Sequence, residues 1–390
     1  MERRSLIQNG AAELAGHVAT ALDRVRGLLG REGLDAVVLT TPANVAWLTG
    51  GLGARVDRTA GSDPVWLVVS EDRFTGITTG VEYPRLRERL EGIGVDAIAR
   101  VPWAPPSAYL EAAVAALPPG RRRFGIDAGC GGSAAGEPVM VESELVPLRM
   151  ALTGYGQSAL AALGLDGARA VEAAVRAWSP GETDREVQGR ACLELERRGI
   201  EPAVVIVGGD ERVRSVRHPV AVGKPVAELL MVVVVGVRDG LNVALTRFAT
   251  ARPQGGLFAE GMAELGRIQE EVVAAAVLGR SYGHLAETLA GAYARSGHPE
   301  EWRNHFQGGP IAYQQREFEI APGEVTSRWY DLEVEKGHAV AYNPSLPGGP
   351  KVEDTYLIGV DGARCVTDTG DWPRLPLPGG TLVAGTLALV

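Results

Sequence analysis

Apolar residues recur every three to four positions along 11–33 (AAELAGHVATALDRVRGLLGREG) and stop at Gly33, a spacing that predicts an amphipathic helix. DAVVLTT (35–41) is a short apolar run and predicts a buried strand, followed by Pro42 and a turn. PVWLVVS (64–70), FTGITTG (74–80), DAIARV (96–101) and RRFGID (122–127) predict further strands. Helical spacing at 83–94 and 107–117 falls between them. Strand and helix alternate, so residues 1–155 read as an α/β domain.

Beyond this stretch the pattern changes. Long helices are predicted at 158–178, from Glu182-Thr183-Asp184 to Arg198, at 255–279 and at 281–297. Strands are predicted at 203–209, 229–237 and 242–250, then at 324–332, 338–346, 354–359 and 365–370. Pairs of helices separated by strands give an α+β domain over 156–372. Residues 373–390, rich in Pro, Gly and Leu, form a tail.

Composition narrows the function classes. Of 390 residues, 45% are hydrophobic and 22% charged, a balance that lets the chain bury a sizeable core. The net charge of −9 argues against a nucleic-acid surface. The longest apolar run, Leu229–Val235, is too short to span a bilayer, so no membrane partner is expected. The first residues, MERRSLIQNGAAEL, have no apolar core of signal-peptide length. Three widely separated cysteines fit a reducing compartment, and a cytoplasmic protein is expected.

Candidate chemistry concentrates in loops. Of six histidines, His17 is expected on the surface of the first helix, and His338 in a turn with a structural role. His218 lies in SVRHPV, between apolar strands, and His305 precedes Phe-Gln-Gly-Gly-Pro, read as a tight loop. Loop histidines on a rigid scaffold are suited to moving protons near neutral pH. Arg316 and Glu317 follow the glycine loop, and Lys351-Val352-Glu353-Asp354 precedes a strand. Charged groups beside buried strands need partners. No spacing reads as a metal site or a phosphate loop.

Three stretches together resemble the pita-bread peptidase family of aminopeptidase P, prolidase and creatinase. They are GLDAVVLTTPANVAWLTG (33–50), SPGETDREV (179–187) and KGHAVAYNPSLPGGPKVEDTYLIG (336–359). The resemblance implies an N-terminal α/β creatinase-type domain and a C-terminal pita-bread domain. The family's peptidases hold two metal ions with two Asp, one His and two Glu. Here the matching positions are Val233 or Val234, Ala244, Gly309, Asn343 and Glu353, so no metal ligation and no other cofactor is expected. In the metal-free creatinase branch, a loop histidine works as acid and base on a C–N bond. His218-Pro219-Val220 matches that stretch, Thr246 stands at its glutamate, and Glu353 and Arg316 match its closing acid and an arginine.

The expectation is therefore a metal-independent hydrolase or lyase acting on a small polar molecule. His218 and Glu353 would do the acid–base work, with His305 and Glu317 beside them. Thr246, Asn343 and Tyr313 would line the pocket, and Arg316, Arg247 and Arg58 (with Arg55 the alternative to Arg58) would bind a substrate carboxylate. A homodimer is implied by the resemblance. A binding protein on a degenerate fold and a proline-specific metallopeptidase with shifted ligands are the alternatives.

Overall fold

The computed structural model describes residues 2–52, 54–120, 123–129, 137–323, 327–377, 379 and 383–389. The chain divides into two compact units, Met1–Gly156 and Gln157–Val390.

In the first unit, helix α1 (Glu2–Glu32) leads into β1 (Ala36–Leu39), whose four residues are all buried. The turn expected at Pro42 is instead a helix, α2 (Pro42–Thr49). Thr41 caps it from an extended conformation, Pro42 sits at its first turn, and Gly50 ends it with φ 64°. The strands β2 (Val65–Ser70), β3 (Phe74–Thr79), β4 (Ala97–Val101), β5 (Arg123–Ile126) and β6 (Glu137–Met140) complete one six-stranded mixed sheet, ordered β4-β3-β2-β1-β5-β6. Helices α3 (Tyr83–Gly92) and α4 (Ser107–Ala115) connect β3 to β4 and β4 to β5, and α5 (Glu142–Met150) follows β6. The buried Asp127 carboxylate accepts from the backbone N–H groups of Thr40 and Thr41, each at 2.9 Å, and so ties β1 to the loop after β5. His17 is also buried rather than on the surface. Its Nδ1 lies 2.7 Å from Thr153 Oγ1 and its Nε2 2.6 Å from Trp47 O, a site made by residues distant in sequence.

The second unit opens on the helices α6 (Gly154–Arg176) and α7 (Asp184–Glu196), the latter opened by a Thr183–Glu186 capping box. Then come β7 (Glu201–Gly209), the short α8 (Asp210–Ser215), β8 (Leu229–Arg238) and β9 (Leu241–Thr250). Helices α9 (Leu257–Ala275) and α10 (Tyr282–Arg295) precede β10 (Gly308–Pro310), α11 (Ser327–Tyr330), β11 (Ala339–Tyr342), β12 (Asp354–Gly359), β13 (Gly362–Cys365) and β14 (Thr386–Ala388). Two four-stranded sheets result, β14-β9-β8-β7 and β10-β11-β12-β13. Part of the expected tail is thus sheet: Thr386–Ala388 pairs in parallel with Phe248–Thr250. The described part of the strand expected at 324–332 contains a single helical turn.

The two sheets meet where Thr246 N donates to Glu353 O at 3.0 Å and Ala244 N to Thr355 Oγ1 at 2.9 Å. Alternation along both strands then sorts the charges. Thr246 and Glu353 turn to one side, where Thr246 Oγ1 donates to Glu353 Oε2 at 2.7 Å. Arg247 and Asp354 turn to the other. There the fully buried Arg247 guanidinium donates to Asp354 Oδ1 at 2.9 Å and Thr367 O at 2.5 Å, with Glu172 Oε1 at 3.5 Å. Arg247, expected to bind a substrate carboxylate, instead centres a buried ion-pair cluster on the side away from Thr246 and Glu353.

Breaking a buried pair by removing one partner leaves an uncompensated charge and costs about 3–5 kcal/mol. Arg247→Met should accordingly lower unfolding free energy by that amount in urea titration; a loss under about 1 kcal/mol would mean the cluster is not held as described.

Candidate functional site

The loop carrying His218 leaves α8 and returns to β8, and it is fixed from below. Asp184, at the start of α7, is buried. Its Oδ1 accepts from Gly223 N at 2.6 Å and Lys224 N at 3.2 Å, and its Oδ2 from Arg212 Nη1 at 3.0 Å. Arg212 Nη2 donates in turn to Val220 O at 2.7 Å. An acid at a helix start is favourably placed against the helix dipole, and here it anchors the loop as well. His218 itself is exposed on one side.

The second loop, 302–307, is held by Gln307, whose Nε2 donates to Trp302 O at 2.9 Å and His305 O at 2.8 Å. It places the His305 ring edge-on to His218, centroids 5.1 Å apart, while Phe306 stacks against His218 at 6.4 Å. His305 Nδ1 lies 2.5 Å from Phe306 O, so Nδ1 carries the proton and Nε2 is left as an acceptor. That Nε2 is buried with no protein partner, as are Asn343 Oδ1 and Gln307 Oε1.

Gly308-Gly309-Pro310, read from sequence as a tight loop, forms the edge strand β10, in register with Val340–Tyr342. Proline is tolerated at such an edge. The glycines let the backbones close in. A Cβ on Gly309 would sit 2.1 Å from Phe318 O, and one on Gly308, with φ 109°, would sit 2.2 Å from Ala341 O.

The centre of the site is a residue that the sequence places before a strand but to which no site role was given. Lys351, Glu353 and Thr355 alternate onto one face, and the first two are both buried. Lys351 Nζ lies 3.9 Å from Glu353 Oε2. Burial pulls the Lys351 amine below its ordinary value, Glu353 draws it back up, and Arg316 and Arg217 push it down again. Partial burial, and then the Lys351 charge, hold His218 below 6.5 against the opposing pull of Glu353. For His305, burial and then Lys351 bring the value down to about 3. The two imidazoles, the ammonium and the carboxylate thus form one electrostatic unit. The signal that could have found Lys351 was the two-residue spacing from Glu353.

The other candidates divide. Thr246 and Glu353 meet in the site. Arg316 adjoins Gly309 and donates to Glu319 Oε2 at 3.0 Å, while Glu319 Oε1 accepts from Gly308 N at 2.7 Å. The charge of Glu317 acts on the buried Tyr282, whose hydroxyl lies 3.0 Å from His338 Nδ1. Tyr313 is buried next to Ala312, whose carbonyl accepts from Asn242 N at 2.8 Å, four residues along β9 from Thr246. Arg247 faces the opposite side. Arg58 is exposed in a loop of the first unit.

The family's two metal ions can be tested against these residues. Val233 pairs with Thr246, so it shares the site's face, whereas Val234 faces away. The five matched positions are therefore Val233, Ala244, Gly309, Asn343 and Glu353, a donor set of one carboxylate and one amide. Gly309 has no room for an imidazole. Hard or borderline divalent cations need several oxygen or nitrogen donors, so these positions do not fit the pair of metals. Among the described residues no group of three or more His, Cys, Asp or Glu is positioned to hold a metal ion. Among them, too, no helix is long and apolar enough to cross a membrane.

Residues 22–134 match the family model described as the Creatinase/Prolidase N-terminal domain. A search of curated proteins finds no match. Among solved structures, the chain is similar to the prolidase of Pyrococcus horikoshii OT3, with TM-score 0.73 and 17% identity over 90% of this chain and 98% of that one. It is also similar to dipeptidase PepE of Mycobacterium ulcerans, with TM-score 0.74 and 20% identity over 96% and 99%. A third likeness is to the N-terminal domain of FACT complex subunit SPT16 from Cicer arietinum, with TM-score 0.65 and 13% identity over 93% and 96%.

Two expectations follow for the histidine pair and the glycine strand. An unfolded histidine binds a proton near pH 6.5, whereas folded His305 does so only near 3, so its neutral form favours folding above 6.5. Stability should fall as pH drops from about 6.5 towards 3, and His305→Asn should flatten that slope in thermal melts; an unchanged slope would remove His305 as its source. Gly309→His should destabilise the protein by at least about 1–3 kcal/mol and should not create a metal site, as chemical denaturation and metal titration of the variant would show. Residues 22–134 thus match the creatinase/prolidase N-terminal domain, and the chain as a whole has the mixed α/β fold of the solved prolidases, as the resemblance to the pita-bread peptidase family implies.

Proposed function

We propose that this protein is a hydrolase of small polar molecules that acts at a C–N bond without a metal ion, with His218 moving the proton. The observation that carries this reading is the buried Lys351–Glu353 pair set beside two imidazoles. His218 is held neutral at pH 7 and is open to solvent, so it is able to take a proton from water. As the water oxygen bonds to the substrate carbon, the C–N bond breaks, and His218 returns the proton to the departing nitrogen. One water is consumed and the histidine is restored. Glu353 orients the water or a cationic nitrogen, with Thr246 fixing one carboxylate oxygen. The unpartnered acceptors His305 Nε2 and Asn343 Oδ1 receive hydrogen bonds from the substrate. A positioned acid–base group of this kind supplies about 10²–10⁴ in rate.

The likeness to dipeptidases supports a hydrolase acting at an amide-type C–N bond, and the mismatch of donors supports a route without the paired metals. The second reading, a binding protein, is favoured by the likeness to the SPT16 N-terminal domain. Turnover separates them. Purified protein should turn over at least one member of a panel of dipeptides, guanidino acids and cyclic amidines, at the same rate with and without chelator. His218→Ala should lose at least about 10²-fold in rate while its unfolding free energy stays within about 0.5 kcal/mol. Chelator-sensitive dipeptide cleavage would overturn the metal-free reading, and a fully active His218→Ala would remove His218 from the reaction.

A further inference from the structure

Beside the His218 loop lies a cavity of about 240 Å³ that no part of the sequence reading anticipated. It lies between residues 213–217 and the loop 345–351, with Met231 of β8 among its lining residues. By register, Met231 lies on the same face as Val233 and Thr246, so the cavity opens along the wall that carries the site. Its volume corresponds to roughly eight waters at liquid density, room for a small metabolite fragment and not for a protein segment.

Three cations line this space, Arg214, Arg217 and Lys351, and no carboxylate does. Their carboxylate partners lie outside it. Arg214 Nη2 donates to Gln254 Oε1 at 2.7 Å, a neutral group. Arg217 Nη1 donates to Ser345 Oγ at 2.9 Å, while Nη2 is paired with Glu301. Lys351 faces Glu353. Three positive charges against two negative ones leave an excess positive charge at a small, partly enclosed space. Cations gathered in this way, with a serine hydroxyl among them, favour an anionic oxygen group. Two of the three are continuous with the site itself: Arg217 precedes His218, and Lys351 shares a face with Glu353.

We infer that this cavity binds the anionic end of the substrate, a carboxylate or a phosphate, held by Arg214, Arg217 and Lys351, so that the bond to be cleaved lies by His218 and Glu353. This inference rests on the hydrolase reading and sharpens it to a substrate class: a small amide or amidine bearing an oxyanion a few atoms from the scissile C–N bond. It also replaces Arg247 and Arg58 as the anion-holding groups.

The test is binding of paired probes to the whole protein, by calorimetry and thermal shift. N-acetylglycine carries an amide and a carboxylate, N-methylacetamide carries the amide alone, and inorganic phosphate carries only the oxyanion. The expected result is saturable binding of N-acetylglycine, of phosphate or of both, and none of N-methylacetamide at equal concentration. Tighter phosphate than carboxylate binding would assign the anion as a phosphate; the reverse order assigns a carboxylate. Arg217→Gln should weaken anion binding at least tenfold. Because Arg217 also braces Ser345 and Glu301, Arg214→Gln serves as the second variant; bonded to Gln254, it should fold normally and weaken binding in the same direction. Equal binding of the charged and neutral amides, or anion binding unmoved in both variants, would overturn the inference. Anion binding that persists in His218→Ala, in a protein that turns nothing over, would sustain the cavity assignment while the hydrolase reading fails. Turnover indifferent to the substrate's charge would do the opposite.

Discussion

The site depends on one buried charge pair, the Lys351 ammonium 3.9 Å from the Glu353 carboxylate. Two opposite charges about 4 Å apart attract by about 4 kcal/mol at an effective dielectric near 20. Taking both out of water costs several kcal/mol per ion. The sum is near zero or unfavourable, so stability is a poor explanation for the pair. What it does provide is a fixed charge pattern. Burial and then the Lys351 charge hold both imidazoles towards their neutral forms, while burial lowers the Lys351 amine and the carboxylate, with one oxygen held by Thr246, draws it back up.

The sheet geometry explains why this arrangement is available. Two strands from different sheets, β9 and the segment leading into β12, lie in register, and each step of one residue changes side. Thr246 with Glu353 makes the site, and Arg247 with Asp354, one residue further along each chain, makes a structural ion pair behind it. On the site's face, the positions matching the family's metal ligands hold Val233, Ala244, Gly309 and Asn343. At Gly309 the backbone of Phe318 has closed over the space that a side chain would need. The change from a metal-binding pattern is therefore built into the backbone as well as into side-chain identity. In the proposed account the buried lysine supplies the positive charge of the site.

Much of this was legible from the chain itself. The long helices of the second unit and the strands β8, β9 and β12 follow from periodicity, because long regular segments carry the strongest local signal. The resemblance placed His218, Thr246 and Glu353, and the structure brings the last two into contact. Arg247 lies apart from Thr246 and Glu353 for a simple reason: a residue adjacent to another on a strand points the other way. Lys351 was named beside its strand but given no role, because only burial by distant segments makes it central. His17 failed similarly, since its partners Thr153 and Trp47 lie far away in sequence. The cavity lined by Arg214, Arg217 and Lys351 joins segments more than a hundred residues apart, a juxtaposition that local pattern does not carry.

The most direct test of the central pair is the proton NMR titration of the His218 imidazole in the native protein and in Lys351→Met, with His218→Asn used to assign the signal. Removing a neighbouring positive charge eases protonation, and the remaining Glu353 charge favours it. His218 should therefore titrate below 6.5 in the native protein and shift upward in Lys351→Met. A native value at or above 6.5, or one that Lys351→Met leaves unmoved, would contradict the account.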